Sequence, residues 1–203
     1  MNEFTARRFL RSTRYPSLLL TCALCAPAPA TEPTAVDPAL VNAARATAQA
    51  LGGRLKAQLT AAIEAGGPAA ALSICNTTAP AIAADLAADY GGEVGRTALR
   101  VRNADNAPDA YEREVLKAFA ARMAAGEDPA TLEHAAIVGD HGQRRFRYLK
   151  AIPMAEAPCA SCHGTAIAPA LADRIHALYP DDEATGFAPG ELRGAFTLSK
   201  PLL

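Results

Sequence analysis

The chain is 203 residues long with a mass of 21.1 kDa, the size of one domain or at most a small pair. Half of it is nominally hydrophobic, but much of that is alanine; aromatics make up only 5% (Phe 6, Tyr 5) and tryptophan is absent, so the core is short of large side chains. A formal net charge of −1 and a pI of about 6.4 argue against a strongly basic nucleic-acid binder, and 20% charged residues of mixed sign argue against wholesale disorder.

The N-terminus begins with Arg7, Arg8, Arg11 and Arg14, continues with an apolar run over 18–25, and reaches Ala28-Pro29-Ala30. A basic head, a short apolar stretch and a small-x-small end describe a secretory signal peptide over 1–30, which places the chain in the periplasm or another exported compartment. A lipid anchor at Cys22 fits less well, because Leu-Leu-Thr precedes it. The rest of the sequence has no apolar run long enough to span a bilayer, so the mature chain is expected to be soluble. Removing 1–30 takes away four basic residues and one acidic one, leaving 16 against 20, a net charge of −4. Cys22 and Cys25 leave with it, and three cysteines remain: Cys75, Cys159 and Cys162. An odd count in an oxidising compartment needs an explanation.

Residues 31–203 read as one domain. Asp37-Pro38 is an N-cap followed by proline in the first turn. Leu40, Ala44, Leu51, Leu55, Leu59 and Ile63 then recur at helical spacing until Gly66-Gly67. A second helix is predicted over 78–90, and a strand over 94–101. Asp109 with Glu112 forms a capping-box pattern that opens a third helix, which carries Tyr111, Val115, Leu116, Phe119 and Met123 up to Gly126. Residues 131–138 and 143–150 flank Gly139-Asp140-His141-Gly142 as a hairpin, with Phe146 and Tyr148 on one face of its second strand and Arg145 and Arg147 on the other. A helix near 169–178, an irregular stretch and a strand over 191–199 complete the chain. Helices gathered early and antiparallel strands later give an α+β class.

Cys159-Ala160-Ser161-Cys162-His163 is C-x-x-C-H, the attachment pattern of c-type haem. Two thiols two residues apart can reach the two vinyl groups of one porphyrin, and the adjacent histidine supplies a nitrogen ligand to the iron. At this chain's own composition the pattern is expected about 0.002 times by chance. A redox C-x-x-C has no need of the histidine, and a zinc site would want a second ligand pair that the sequence lacks. One motif implies one covalent haem. Its other axial position could be filled by His134, His141, His176, Met123, Met154 or Cys75. Met154 is only five residues before Cys159, which makes the opposite face awkward to reach, and His141 suits a solvated turn. His134 and His176 each read equally as ordinary partly exposed histidines. Cys75 is left unpaired by the haem, and an unpaired thiol in an oxidising compartment is protected by burial or by ligation.

Several stretches together carry a resemblance. They are Ala71-Leu72-Ser73-Ile74-Cys75-Asn76; Gly95-Arg96-Thr97 leading to Arg102-Asn103-Ala104-Asp105-Asn106-Ala107-Pro108; Tyr148-Leu149-Lys150-Ala151-Ile152; Pro158-Cys159-Ala160-Ser161-Cys162-His163-Gly164; and Tyr179-Pro180-Asp181 through Gly186-Phe187 to Gly190-Glu191-Leu192-Arg193-Gly194. Over about 38–200 the chain resembles the Tll-type c-haem domain, long catalogued as a domain of unknown function. The resemblance implies a PAS-like α+β domain with one covalent haem, ligated axially by His163 and Cys75. It departs at Ala104 and Ala151, where the family often has proline; both changes loosen local backbone and leave the ligands in place.

A thiolate ligand stabilises ferric iron and lowers the potential. Ligation needs a deprotonated sulfur, so protonation or oxidation of Cys75 would weaken it and, on reduction, could open a site for CO or NO. Arg100, Arg102, Arg145, Arg147 and Lys150 are candidates to pair the haem propionates, although each also suits a solvated strand face. The expected function is a redox or gas sensor module with no catalysis of its own, signalling through a separate protein. A small electron-transfer cytochrome is the alternative, and a peroxidase-like enzyme a third, requiring an open iron site and His134 or His176 as the acid–base group.

Overall fold

The computed structural model describes residues 35–202 apart from His141. The signal peptide expected over 1–30, with Cys22 and Cys25, and the turn residue His141 therefore lie outside the described residues. No helix among them is long and apolar enough to cross a membrane.

The first helix, α1 (Pro38–Ser73), starts where the sequence places it: the Asp37 carboxylate accepts from Ala39 N at 2.8 Å, and proline follows at the first helical position. Its regular spiral breaks at Gly66 and Gly67. Gly67 has φ of 71° with ψ of −177°, a region open essentially only to glycine that costs a residue with a Cβ about 1–3 kcal/mol. The two glycines make a kink, and a second helical stretch starts at Pro68. That stretch passes through a π-helical segment (Ile74–Thr78) into α2 (Ala79–Tyr90). The sequence reading placed the second helix at 78–90 and missed the stretch from Pro68 to Thr78.

Four strands follow: β1 (Glu93–Thr97), β2 (Glu133–Asp140), β3 (Gln143–Pro153) and β4 (Leu192–Leu202). They form one antiparallel sheet in the order β1-β4-β3-β2. The predicted strand over 94–101 is shorter than expected, because the chain bends out of the sheet after Thr97 and Ala98, Val101 and Arg102 become cavity wall. The hairpin is as expected in type and closes on the Asp140–Gln143 pair; its first arm lies two residues later than expected, at the same length, and its second runs on to Pro153. Gly194 lies where β4 approaches β1: a Cβ there would stand 2.5 Å from Thr97 O, so only glycine allows the contact.

Helices cover both faces of the sheet. α3 (Ala110–Ala124) opens with the predicted capping box: Asp109 accepts from Glu112 N at 2.7 Å, and Glu112 accepts from Asp109 N at 3.1 Å. Its Val115, Leu116 and Phe119 pack on Leu149, Ala151 and Ala195 of one face. On the other face Ala44 and Ala48 of α1 and Tyr90 pack on Phe146, Tyr148 and Leu198. Tyr148 and Leu149 are neighbours in one strand and both are fully buried, which requires cover on both sides. Alanines on α1 let the helix lie close enough for the few aromatics to fill the layer. The remaining helices are a single turn, α4 (Ala160–His163), and α5 (Pro169–Leu178), which sits where the sequence predicts it.

Candidate functional site

Cys159 caps α4 and Ala160–His163 form it, held to the chain that leads into β4. Met154 N donates to Glu191 O at 2.7 Å and Gly190 N to Met154 O at 2.8 Å, which pins the start of the loop carrying the motif. Phe187 N donates to His163 O at 3.0 Å and Gly186 N to Gly164 O at 3.0 Å, which pins its end. Met154, Ala184 and Phe187 pack against Cys159 and Ala160. Cys159 and Cys162, three residues apart on one turn, share a side of it. Both are free thiols, as is Cys75.

The His163 ring is oriented from behind. Its Nδ1–H donates to Ala184 O at 2.6 Å; the acceptor is a carbonyl, so Nδ1 carries the proton and Nε2 keeps its lone pair. Burial, then the nearby Arg193 and Arg102 guanidinium groups, push the imidazole pKa down to about 3, so the ring is neutral across the physiological range. A backbone carbonyl behind a histidine is the arrangement that fixes metal-binding tautomers. Arg102 braces the same spot. Its Nη2 donates to Cys162 O at 2.7 Å, to Asp182 Oδ2 at 2.9 Å and to Ala184 O at 3.3 Å.

Cys75 comes from the π-helical segment between α1 and α2, a kind of helical irregularity concentrated at functional sites. It shares a mostly apolar cavity of about 210 Å³ with Cys159, Cys162, His163 and Met154. Leu59, Ile63 and Leu72 of α1 give that cavity an apolar wall, and Arg96, Arg102 and Arg193 line it as well. Burial pushes the Cys162 thiol up, and the neighbouring Cys75 and Cys159 add to the rise. Cys75 also borders a second, more polar cavity of about 500 Å³ bounded by Glu112 and Arg147.

Not every sequence candidate reaches this place. Arg100 donates to the carbonyls of Glu183 (3.2 Å) and Thr185, and stacks 3.7 Å over the Phe187 ring, off the cavity. Lys150 donates to Ala130 O on the outer part of the sheet. Arg145 pairs with Glu93, and Arg147 with Asp109 and Glu112. Arg102 alone of the five borders the thiols and His163, and it is occupied by Asp182 and two backbone carbonyls. His134 bonds Tyr111 Oη at 2.9 Å, Met123 lines a separate hollow near Phe187, and His176 is exposed on α5. Met154, set aside on sequence distance, does form part of the cavity wall. Arg96, Arg193, Asp182 and Tyr179 were missed. Arg96, Arg193 and Tyr179 stand inside the stretches that carry the family resemblance, so a signal for their place existed; none pointed to their role.

A flat, apolar group bearing carboxylates, attached through two thiols and ligated by an imidazole, fits these walls. Free Cys159 and Cys162 stand beside a neutral histidine with an available Nε2. Buried guanidinium donors without partners, Arg102 Nε and Arg193 Nε, stand ready for anionic oxygens. The haem that C-x-x-C-H implies is such a group.

Comparison with known proteins agrees in fold. None of the curated proteins matches the chain. The crystal structure of the cyanobacterial heme-protein Tll0287 is similar, with a TM-score of 0.56 and 23% sequence identity, covering 83% of this chain and 98% of that one. The model of the Tll0287-like family matches residues 12–201, nearly the whole length, and the chain belongs to that family.

Proposed function

We propose that this protein is an exported, PAS-like domain carrying one covalent haem c and acting as a redox or gas sensor module. Cys159 and Cys162 would attach the porphyrin, each thiol adding S–H across one vinyl double bond, with a C–S bond formed and the proton passing to the other vinyl carbon. His163 Nε2 and the Cys75 sulfur are the groups that would hold the iron. One observation carries the reading: an imidazole held neutral, with Nδ1–H on Ala184 O, beside three free thiols at one apolar cavity. Membership of a family named for a heme-protein supports it.

When bound, the haem supplies a one-electron ferric/ferrous couple and, with an axial position vacated, a site for a diatomic gas. The protein's residues set how that couple responds. The apolar wall of Leu59, Ile63 and Leu72 excludes water and strengthens electrostatic interactions at the site. The Ala184 carbonyl keeps His163 in its ligating tautomer. Cys75, which borders a polar cavity as well as the apolar one, would hold the iron at the boundary between the two. The positions of His134 and His176 away from the cavity favour a sensor over a peroxidase.

Produced with c-type haem maturation, the wild-type protein should keep its haem through boiling in detergent, and Cys159→Ser/Cys162→Ser should lose it. Cys75→Ser should convert the ferric optical and EPR signature from low-spin thiolate to another ligand set. An unchanged spectrum would remove Cys75 from the iron and leave the Met154 thioether as the sulfur at the cavity. Binding of CO by the reduced wild type supports the sensor; six-coordination in both redox states, with no CO binding, supports the electron carrier instead.

A further inference from the structure

The arginines at the cavity are unevenly matched. Arg102 is compensated by Asp182 at 2.9 Å, both side chains being 7% exposed. Among the described residues, neither Arg96 nor Arg193 forms an ion pair. Arg193 donates from Nη1 to Arg100 O at 3.3 Å, and its buried Nε donor has no partner; the buried Nε of Arg102 has none either. Burial, then Arg102 and Arg96, push the Arg193 pKa down to about 10, as expected of a cation enclosed with other cations. An enclosed charge is costly until an opposite charge meets it.

We propose that Arg96 and Arg193 form the anchor for the two propionate carboxylates of the haem, with Arg102 Nε as a further donor, in place of the Arg100 and Lys150 that strand position suggests. The inference rests on the haem reading above and names this chain's residues for it. The match is charge for charge: two uncompensated guanidinium groups for two carboxylates, with fork geometry suited to bidentate bonds. Arg96 extends from β1 and Arg193 from β4, so both are fixed by the rigid sheet rather than by the motif loop. Two positive charges this close to the haem favour the ferrous state and oppose the downward pull of a thiolate on the potential.

The test is a potentiometric titration of the holoprotein, with covalent haem content measured by pyridine haemochrome. Arg193→Gln and Arg96→Gln should each retain full haem content while the preference for ferric iron rises about tenfold, a midpoint fall of ~59 mV. Arg193→Lys, which keeps the charge, should recover most of the potential, and Lys150→Gln should leave it at the wild-type value. Arg96 is partly exposed, so its variant reports even if replacement of the buried Arg193 prevents folding. Wild-type potentials in Arg96→Gln and Arg193→Gln with haem in place overturn the proposal, as does an equal shift in Lys150→Gln. In the Cys75→Ser background the Arg193→Gln shift should persist; its disappearance would make the Cys75 thiolate the counter-charge and overturn the propionate assignment. A wild-type protein without covalent haem overturns the haem reading itself, a result distinct from all of these.

Discussion

At the scale of single residues, Arg102 shows how much one side chain can organise. It joins the last turn of the C-x-x-C-H helix, the Ala184 carbonyl that orients His163, and the Asp182 carboxylate. The Arg102–Asp182 pair is buried on both sides, at 7% exposure each. Removing one member of such a pair leaves the other charged and unpaired, which costs more than the pair itself contributes. Arg102→Ala is therefore expected to lose about 3–5 kcal/mol of stability in urea unfolding. Arg145, near the start of β3, pairs with the exposed Glu93, whose side chain is 77% exposed; Glu93→Gln should cost well under 1 kcal/mol. The two pairs have similar distances, and burial separates their worth.

At the scale of elements, local signals were legible where the chain ends or begins a helix. Asp37-Pro38 and the Asp109/Glu112 box set the starts of α1 and α3, because an N-cap is satisfied by residues within three positions of one another. Asp109 also accepts from Arg147 at 2.7 Å, tying α3 to β3. Asp109→Ala is expected to lower stability by about 1–2 kcal/mol, mostly through the cap, since the carboxylate's partner contact is half exposed. Asp109→Asn, which keeps the cap acceptor, should recover most of it, and the two midpoints in urea compare the terms. The π-helical segment was not legible. Residues 74–78 (Ile-Cys-Asn-Thr-Thr) are weak helix formers, which reads as an interruption of the helix and not as a π-helical turn carrying Cys75 to the cavity.

At the scale of the whole molecule, the alanine-rich helices and scarce aromatics leave a gap between α1, the start of the sheet and the motif loop, and the cavity is that gap. Its acid stability follows from His163. The folded pKa is about 3 against an ordinary value of 6.5, so the unfolded chain binds the extra proton between those values. Stability from this group is complete above pH 6.5 and is lost as pH falls from 6.5 towards 3, up to about 5 kcal/mol in all. The lowered carboxyl pKa values of Asp109, held by Glu112 N and Arg147, and of Glu133, held by Arg45, act in the same direction below their ordinary values. Urea midpoints of the haem-free Cys159→Ser/Cys162→Ser variant should fall between pH 7 and pH 4. His163→Gln in that background should flatten the part of the fall between pH 6.5 and 4.5; an unchanged slope there would show that His163 is not enclosed in solution.

Sequence alone determined the pieces whose chemistry is local. C-x-x-C-H sets its own spacing within one helical turn, the caps and glycines set helix ends, and the alternation around Phe146 and Tyr148 sets a strand. The family resemblance also singled out Cys75, 84 residues before Cys159, as a partner of the motif. Only the tertiary structure decided which charges stand beside that motif. Arg100, Lys150, Arg96 and Arg193 all read alike as cations on or beside strands, and the sequence favoured the first two. The bend after Thr97 and the close approach of β4 to β1 at Gly194 bring Arg96 and Arg193 to the cavity and turn Arg100 onto Phe187. That choice depends on long-range packing of strands nearly 100 residues apart, which no local pattern encodes.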